Sequence, residues 1–117
     1  MSKSLDDFFS AWAMDDASAR DALVDSTLGE TITYADPRTE APLTDATAVK
    51  QYVGMFSQMA PGMPVNVVHS STTLNVERVT VLFGEGERSQ TGQYVADLDG
   101  VGKIVRLVGF VGMGTPE

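Results

Sequence analysis

Cysteine is absent from this 117-residue chain. That removes disulfides, thiolate nucleophiles and zinc–cysteine sites from consideration and fits a reducing cytoplasm. Histidine occurs once, as His69, so one chain cannot assemble a two-histidine metal site, and any serine–histidine–carboxylate triad would have to use that residue. No serine sits in a G-x-S-x-G elbow, and Walker, dinucleotide-glycine and H-E-x-x-H patterns are missing. No cofactor and no metal are therefore expected. No apolar run approaches the ~20 residues of a membrane span. Met1 to Ser10 carries Asp6 and Asp7 and lacks a basic start with an apolar stretch, so no signal peptide is expected. Basic residues are also scarce, 8 against 16 acidic, for a net charge of -8. Such a surface repels phosphate backbones and anionic lipid, which disfavours nucleic acid and membranes as partners. The combined expectation is a cytoplasmic protein.

What is present reads as one globular domain spanning residues 1–117, with its core at about 5–112. Hydrophobic residues make up 43% of the chain, and two independent cores would not fit in it. Asp6, Asp7, Asp15, Asp16, Asp21 and Asp25 concentrate acid early, as a solvated helix face that supplies solubility. Ser4 is a candidate N-cap for a first helix with Asp6 and Asp7 in its first turn. Leu5, Phe8, Phe9 and Trp12 follow at i, i+3, i+4 and i+7, an amphipathic stripe. A second short helix runs through Ala19 to about Thr27, capped by Asp16 or Ser18, with Leu23, Val24 and Leu28 as its contacts and Gly29 as its stop. Glu30 to Asp36 reads as a strand closed by Pro37. A longer helix from Thr44 or Asp45 to about Met59 carries Val49, Tyr52, Val53 and Phe56 inward. Strands are expected near 65–75, 77–84, 90–98 and 103–111, with a tight hairpin at Asp99-Gly100. Helices followed by strands make an α+β domain, with three N-terminal helices packed on a curved, mostly antiparallel sheet. The tail from Gly112 to Glu117 is expected to fray.

Strand parity selects the candidate site. Ile32, Tyr34 and Asp36 share one face, so the Asp36 carboxylate points toward apolar surroundings, where burial makes a carboxylate a better base near neutrality. Pro37 restricts Asp36 to extended backbone. The alternative is an aspartate that only caps the following loop. Tyr94 shares a face with Gly92 and Ala96 and points inward, as a donor to a developing oxyanion or as a core residue with a satisfied hydroxyl. His69, in register with Val65 and Val67, is also expected to face the interior, as a core residue or a helper. Met55, Met59 and Met63 either line a pocket or pack the core. On the last strand, Val105, Leu107, Gly109 and Val111 form one face and Ile104, Arg106, Val108 and Phe110 the other. Helices can cover one of these, which leaves the other as a candidate subunit interface.

Four segments in this order, FFSAWAMDD, ITYADPRTEAPL, AVKQYVGMF and DLDGVGKIVRLVGFVG, resemble the nuclear-transport-factor-2-like superfamily, closest to SnoaL-like domains and ketosteroid isomerases. The resemblance implies a cone-shaped α+β barrel around an interior pocket, and homodimers through the sheet. It also implies a role for Asp36, which matches the aspartate before proline that moves a proton between carbons in the isomerases. Those enzymes polarise the carbonyl with a first-helix tyrosine and a protonated aspartic acid on the sheet; the corresponding positions here are Phe8, which has no hydroxyl, and Tyr94. Asp36 and Tyr94 are thus the expected catalytic pair, with Trp12, Tyr34, Tyr52, Phe56, Met59, His69 and Leu107 around a small apolar, polyketide- or steroid-like ligand. The expected function is a small-molecule pocket, either an isomerase-, cyclase- or dehydratase-like enzyme with Asp36 as base, or a ligand-binding or dimeric interaction module without catalysis.

Overall fold

The computed structural model describes residues 3–112. Helix α1 (Lys3–Ala11) and helix α2 (Ala17–Thr27) lead into strand β1 (Leu28–Ala35). Helix α3 (Ala46–Met59) precedes strands β2 (Val65–Thr73), β3 (Val76–Phe83), β4 (Gln90–Leu98) and β5 (Ile104–Val111). The sheet order is β1-β5-β4-β3-β2, with β1 parallel to β5 and the other pairs antiparallel. The sheet is mixed and curled but not closed, and the three helices pack on it. The expected α+β class holds.

The apolar stripe of α1 does what its spacing predicts. Leu5, Phe8 and Phe9 are fully buried and Trp12 nearly so. Ser4 differs from its expected role: it lies inside the helix, and its hydroxyl donates to the Gly102 carbonyl at 2.7 Å, tying α1 to the β4–β5 connection. Asp16 caps α2 by accepting from the Ala19 amide at 2.9 Å, and Asp45 caps α3 by accepting from Ala48 at 2.8 Å. Each cap satisfies one orphan amide of a helix start. Helix α2 buries Arg20, Val24 and Thr27, while Leu23 is only half-buried. Gly29 is the second residue of β1 rather than a break before it. A Cβ there would come within 2.7 Å of the Val105 side chain, so the glycine lets two strands approach. Asp99 organises the β4–β5 turn by accepting from Val101 (3.0 Å) and Lys103 (2.9 Å).

Two bulges correct the parity reading of the sheet. The β2–β3 register shifts between Val67 and His69. Val67 pairs with Val81 but His69 pairs with Thr80, so one extra residue, Val68, turns everything after it to the opposite face. His69 therefore sits on the outer side and is exposed, not in the interior. The β4–β5 register shifts likewise between Asp97 and Leu98. Ile104 consequently joins Leu107 in the core, both fully buried, rather than sharing a face with Val108 and Phe110. The tail expectation falls on residues 113–117, outside the described ones; Gly112 still bonds through its amide to the Thr91 carbonyl at 3.0 Å.

Tyr94 packs face-down over β5. A Cβ built on Gly109 would lie 2.5 Å from its ring, so only glycine fits beneath it. Gly109→Ala should destabilise the fold by about 1–3 kcal/mol, as overpacking of a filled core does. In a Tyr94→Ala background the same change should cost under about 0.5 kcal/mol, because the obstructing ring is gone. Urea unfolding of the four proteins tests this, and an equal cost in both backgrounds would contradict it.

Candidate functional site

Strand β1 ends at Ala35, and Pro37 cannot continue a ladder. Asp36, between them, directs its two carboxylate oxygens to different tasks. Oδ1 accepts from the backbone amides of Arg38 at 2.9 Å and Thr39 at 3.2 Å, an Asx turn that fixes the loop. Oδ2 accepts from the hydroxyls of Tyr34 and Tyr52, each at 2.6 Å. The loop-capping and inward-facing readings of Asp36 are therefore compatible, one per oxygen. Tyr34 comes from β1, two residues earlier and on the same face; Tyr52 comes from α3. The carboxylate thus joins the end of a strand, a turn and a helix.

Asp36 and Tyr52 stand on the wall of a cavity of about 940 Å³. Trp12, one residue past the end of α1, Phe56 and Met59 from α3, Phe83 from β3 and Tyr94 from β4 also line it. The aromatic rings pack on one another: Trp12 lies 5.0 Å from Phe56, 5.8 Å from Phe83 and 6.0 Å from Tyr52, centroid to centroid. The Trp12 indole N–H is buried and has no hydrogen-bond partner among the described residues. Arg38 lines the cavity beside Pro37.

The chain has three tyrosines, and all three belong to this cluster. Burial raises Tyr34 well above the usual phenol value, with the charges of Tyr94 and Asp36 adding to it. Burial also raises Tyr52, helped by its hydrogen bond to Asp36. Tyr94 is pushed up to about 12 by burial and by the Asp36 charge, while a hydrogen bond with Tyr34 acts in the opposite direction. All three hydroxyls therefore stay protonated through the neutral range and act as donors. The cluster offers one carboxylate acceptor and phenol donors beside an aromatic wall, in a cavity that Arg38, Ser89, Gln90 and Thr91 also line. Among the described residues no group of three or more histidines, aspartates or glutamates could hold a metal ion.

Of the residues singled out from the sequence, Asp36, Tyr94, Trp12, Tyr52 and Phe56 line this cavity, and so do all three methionines Met55, Met59 and Met63. Tyr34 does not line it; it is fully buried and reaches Asp36 from beneath. Leu107 is also fully buried and pairs with Tyr34 and Ala96 in the sheet, so it is a core residue. His69 is exposed on the outer face because of the bulge at Val68 and contributes nothing to the cavity. Phe83 is a cavity residue that the sequence reading misses, although its parity with the buried Val79 and Val81 marks it as inward. Arg38 carries no such signal, because its place is set by the turn that Asp36 makes.

No protein-family model and no curated protein matches the chain. Solved structures do. One from Agrobacterium tumefaciens, described as a candidate isomerase of the SnoaL-like family, superposes with a TM-score of 0.81 over 94% of this chain and 95% of its own, at 21% identity. A protein of ketosteroid isomerase-like fold from Catenulispora acidiphila, in complex with trimethylamine, gives 0.75 over 95% and 86%, at 11% identity. An epoxide hydrolase from M. tuberculosis gives 0.65 over 94% and 80%, at 14% identity. The chain has the nuclear-transport-factor-2-like fold. No described helix is long and apolar enough to cross a membrane.

The phenols make a pH prediction. A folded-state value above the unfolded reference of about 10 means that the folded protein holds its protons more tightly than the unfolded chain. The stabilisation is complete below that reference and is lost as pH rises. Each raised tyrosine should remove about 1.4 kcal/mol per pH unit, between about 10 and 12 for Tyr94. Phenolate absorbance should stay low near pH 10 and then rise together with loss of the fold. A tyrosine that ionises near pH 10 in the intact fold would contradict this.

Proposed function

We propose that the cavity binds a small, largely apolar carbonyl compound and moves a proton on it. The observation that carries this reading is that the Asp36 carboxylate and the Tyr52 and Tyr94 phenols line one cavity beside its aromatic residues. In the proposed step Asp36 takes a proton from the carbon next to the carbonyl. The C–H electron pair moves into the carbonyl, the oxygen becomes an enolate, and Tyr94 donates a hydrogen bond to it. Return of the proton to another carbon completes an isomerisation. Tyr52, on the cavity side of Oδ2, releases that oxygen as the substrate enters. The resemblance to ketosteroid isomerases supports Asp36 in this role, and no cofactor is needed for it.

A second reading has its own support. Both oxygens of Asp36 already accept two hydrogen bonds, which suits a structural anchor under a pocket that binds a ligand without turning it over. A homodimer through the outer sheet face fits either reading and would appear in sedimentation as twice the chain mass; Phe110, 56% exposed on β5, also lines the cavity.

Hydrogen–deuterium exchange at the carbon next to the carbonyl, followed by NMR for a panel of cyclic ketones and lactones in heavy water, separates the readings. The enzyme reading expects protein-dependent exchange. Asp36→Asn should slow it by about 10²–10⁴-fold as a lost general base. Tyr94→Phe should slow it by about 10²–10³-fold as a lost oxyanion donor. Saturable binding without exchange, or exchange that survives Asp36→Asn, would reject the base mechanism; the former leaves the binding module.

A further inference from the structure

The second helix carries a charged residue on its inner face that nothing in the Asp36 cavity uses. Arg20 is only 8% exposed and shares the buried side of α2 with Val24 and Thr27. A guanidinium has five N–H donors. Here Nη1 donates to the Met14 carbonyl at 3.3 Å, and Nε is buried with no partner among the described residues. No carboxylate forms an ion pair with Arg20 among those residues. Buried arginines are ordinarily paired, because removing a charge from water is costly when nothing replaces the hydration.

The guanidinium lies on a groove of about 600 Å³ between α2 and α3. Gly54 of α3 makes room for it: a Cβ at that position would come within 3.1 Å of Nη2. Thr47, Gln51 and Gln58 bring exposed polar side chains to the same groove. Asp21 also borders it without pairing to Arg20, and the Lys50 ammonium is engaged by Asp25 at 3.0 Å. The net charge of -8 does not exclude an anion here, since exposed charges are screened beyond about 8–10 Å at physiological ionic strength. A buried guanidinium at contact distance is screened far less.

We propose that this groove binds a small oxyanion, the carboxylate or phosphate of a small molecule, with Arg20 as its anchor and Gln51 and Gln58, about one turn to either side of Gly54, as supporting donors. The planar fork of the guanidinium suits either group. The site is separate from the Asp36 chemistry; the two cavities share only Met55 in their walls.

The test is a ¹H–¹⁵N NMR titration of the full chain with sodium acetate, inorganic phosphate and sodium chloride at matched ionic strength. A saturable shift of the Arg20 Nε–H and of the Gln51 and Gln58 side-chain amides is expected with acetate or phosphate but not chloride. Which of the two saturates first distinguishes a carboxylate from a phosphate ligand. Arg20→Lys keeps the charge but loses the fork and should weaken binding about tenfold or more. Should that variant fail to fold, the double variant Gln51→Leu with Gln58→Leu, at exposed positions, decides instead; it should weaken binding several-fold with an unchanged thermal midpoint. Shifts linear in all three salts, shifts confined to the Asp36 cavity, or affinity unchanged in the variant that folds would overturn the proposal.

Discussion

The carboxylate of Asp36 is the constraint on which the site depends. Four donors converge on it, two backbone amides from its own turn and two phenols from β1 and α3. Hydrogen bonds to a charged acceptor are each worth about 1.5–3 kcal/mol, so the group holds the exit of β1, the loop after Pro37 and the middle of α3 in one arrangement. Tyr34 could not be buried at no cost without such a partner for its hydroxyl. Tyr52 could not face the cavity in a fixed orientation without it. The same charge helps keep all three tyrosines protonated, which makes the wall of the cavity a set of donors around one acceptor.

The helices and the sheet make that arrangement possible in different ways. Helix α1 contributes Phe8 and Phe9 to the core, and Trp12, just past its end, is nearly buried and lines the cavity. The sheet contributes Phe83 and Tyr94 at one end, over Gly92 and Gly109, where a side chain would collide with the Tyr94 ring or crowd it. The result is a cavity with an aromatic wall, the Asp36 and phenol cluster, and further polar lining from Arg38, Ser89, Gln90 and Thr91. Such a distribution suits a ligand with a hydrocarbon part and at least one oxygen to recognise. Fold alone does not decide whether the ligand is changed or only held.

Much of this is legible in the sequence. The i, i+3, i+4, i+7 stripe of α1, the caps Asp16 and Asp45, and the stop after Met59 follow from local chemistry, and the structure has them where that chemistry puts them. Asp36 stands out because strand parity turns it inward and Pro37 fixes its backbone. What parity cannot reveal are the bulge at Val68 and the β4–β5 shift that pairs Asp97 with Arg106 but Leu98 with Ile104, leaving Val105 unpaired between them. A bulge has no side-chain signature in a run such as VNVVHSS, yet it moves His69 outward and Ile104 inward. The shared acceptor is equally hidden, because Tyr34 and Tyr52 meet Asp36 only after α3 packs on β1. Arg20 is unreadable for a related reason: the space for its guanidinium is made by Gly54, on another helix.

The most direct measurement is a double-mutant cycle between Asp36→Ala and Tyr52→Phe, read by urea unfolding of the four proteins. If one carboxylate oxygen holds the α3 phenol, removing the hydroxyl should cost about 1–3 kcal/mol in the native background and close to nothing once Asp36 is gone. A coupling of that size would establish the carboxylate as the organiser of the site. Additive costs would mean that packing alone holds Tyr52, and the claim that Asp36 orders the cavity wall would fail.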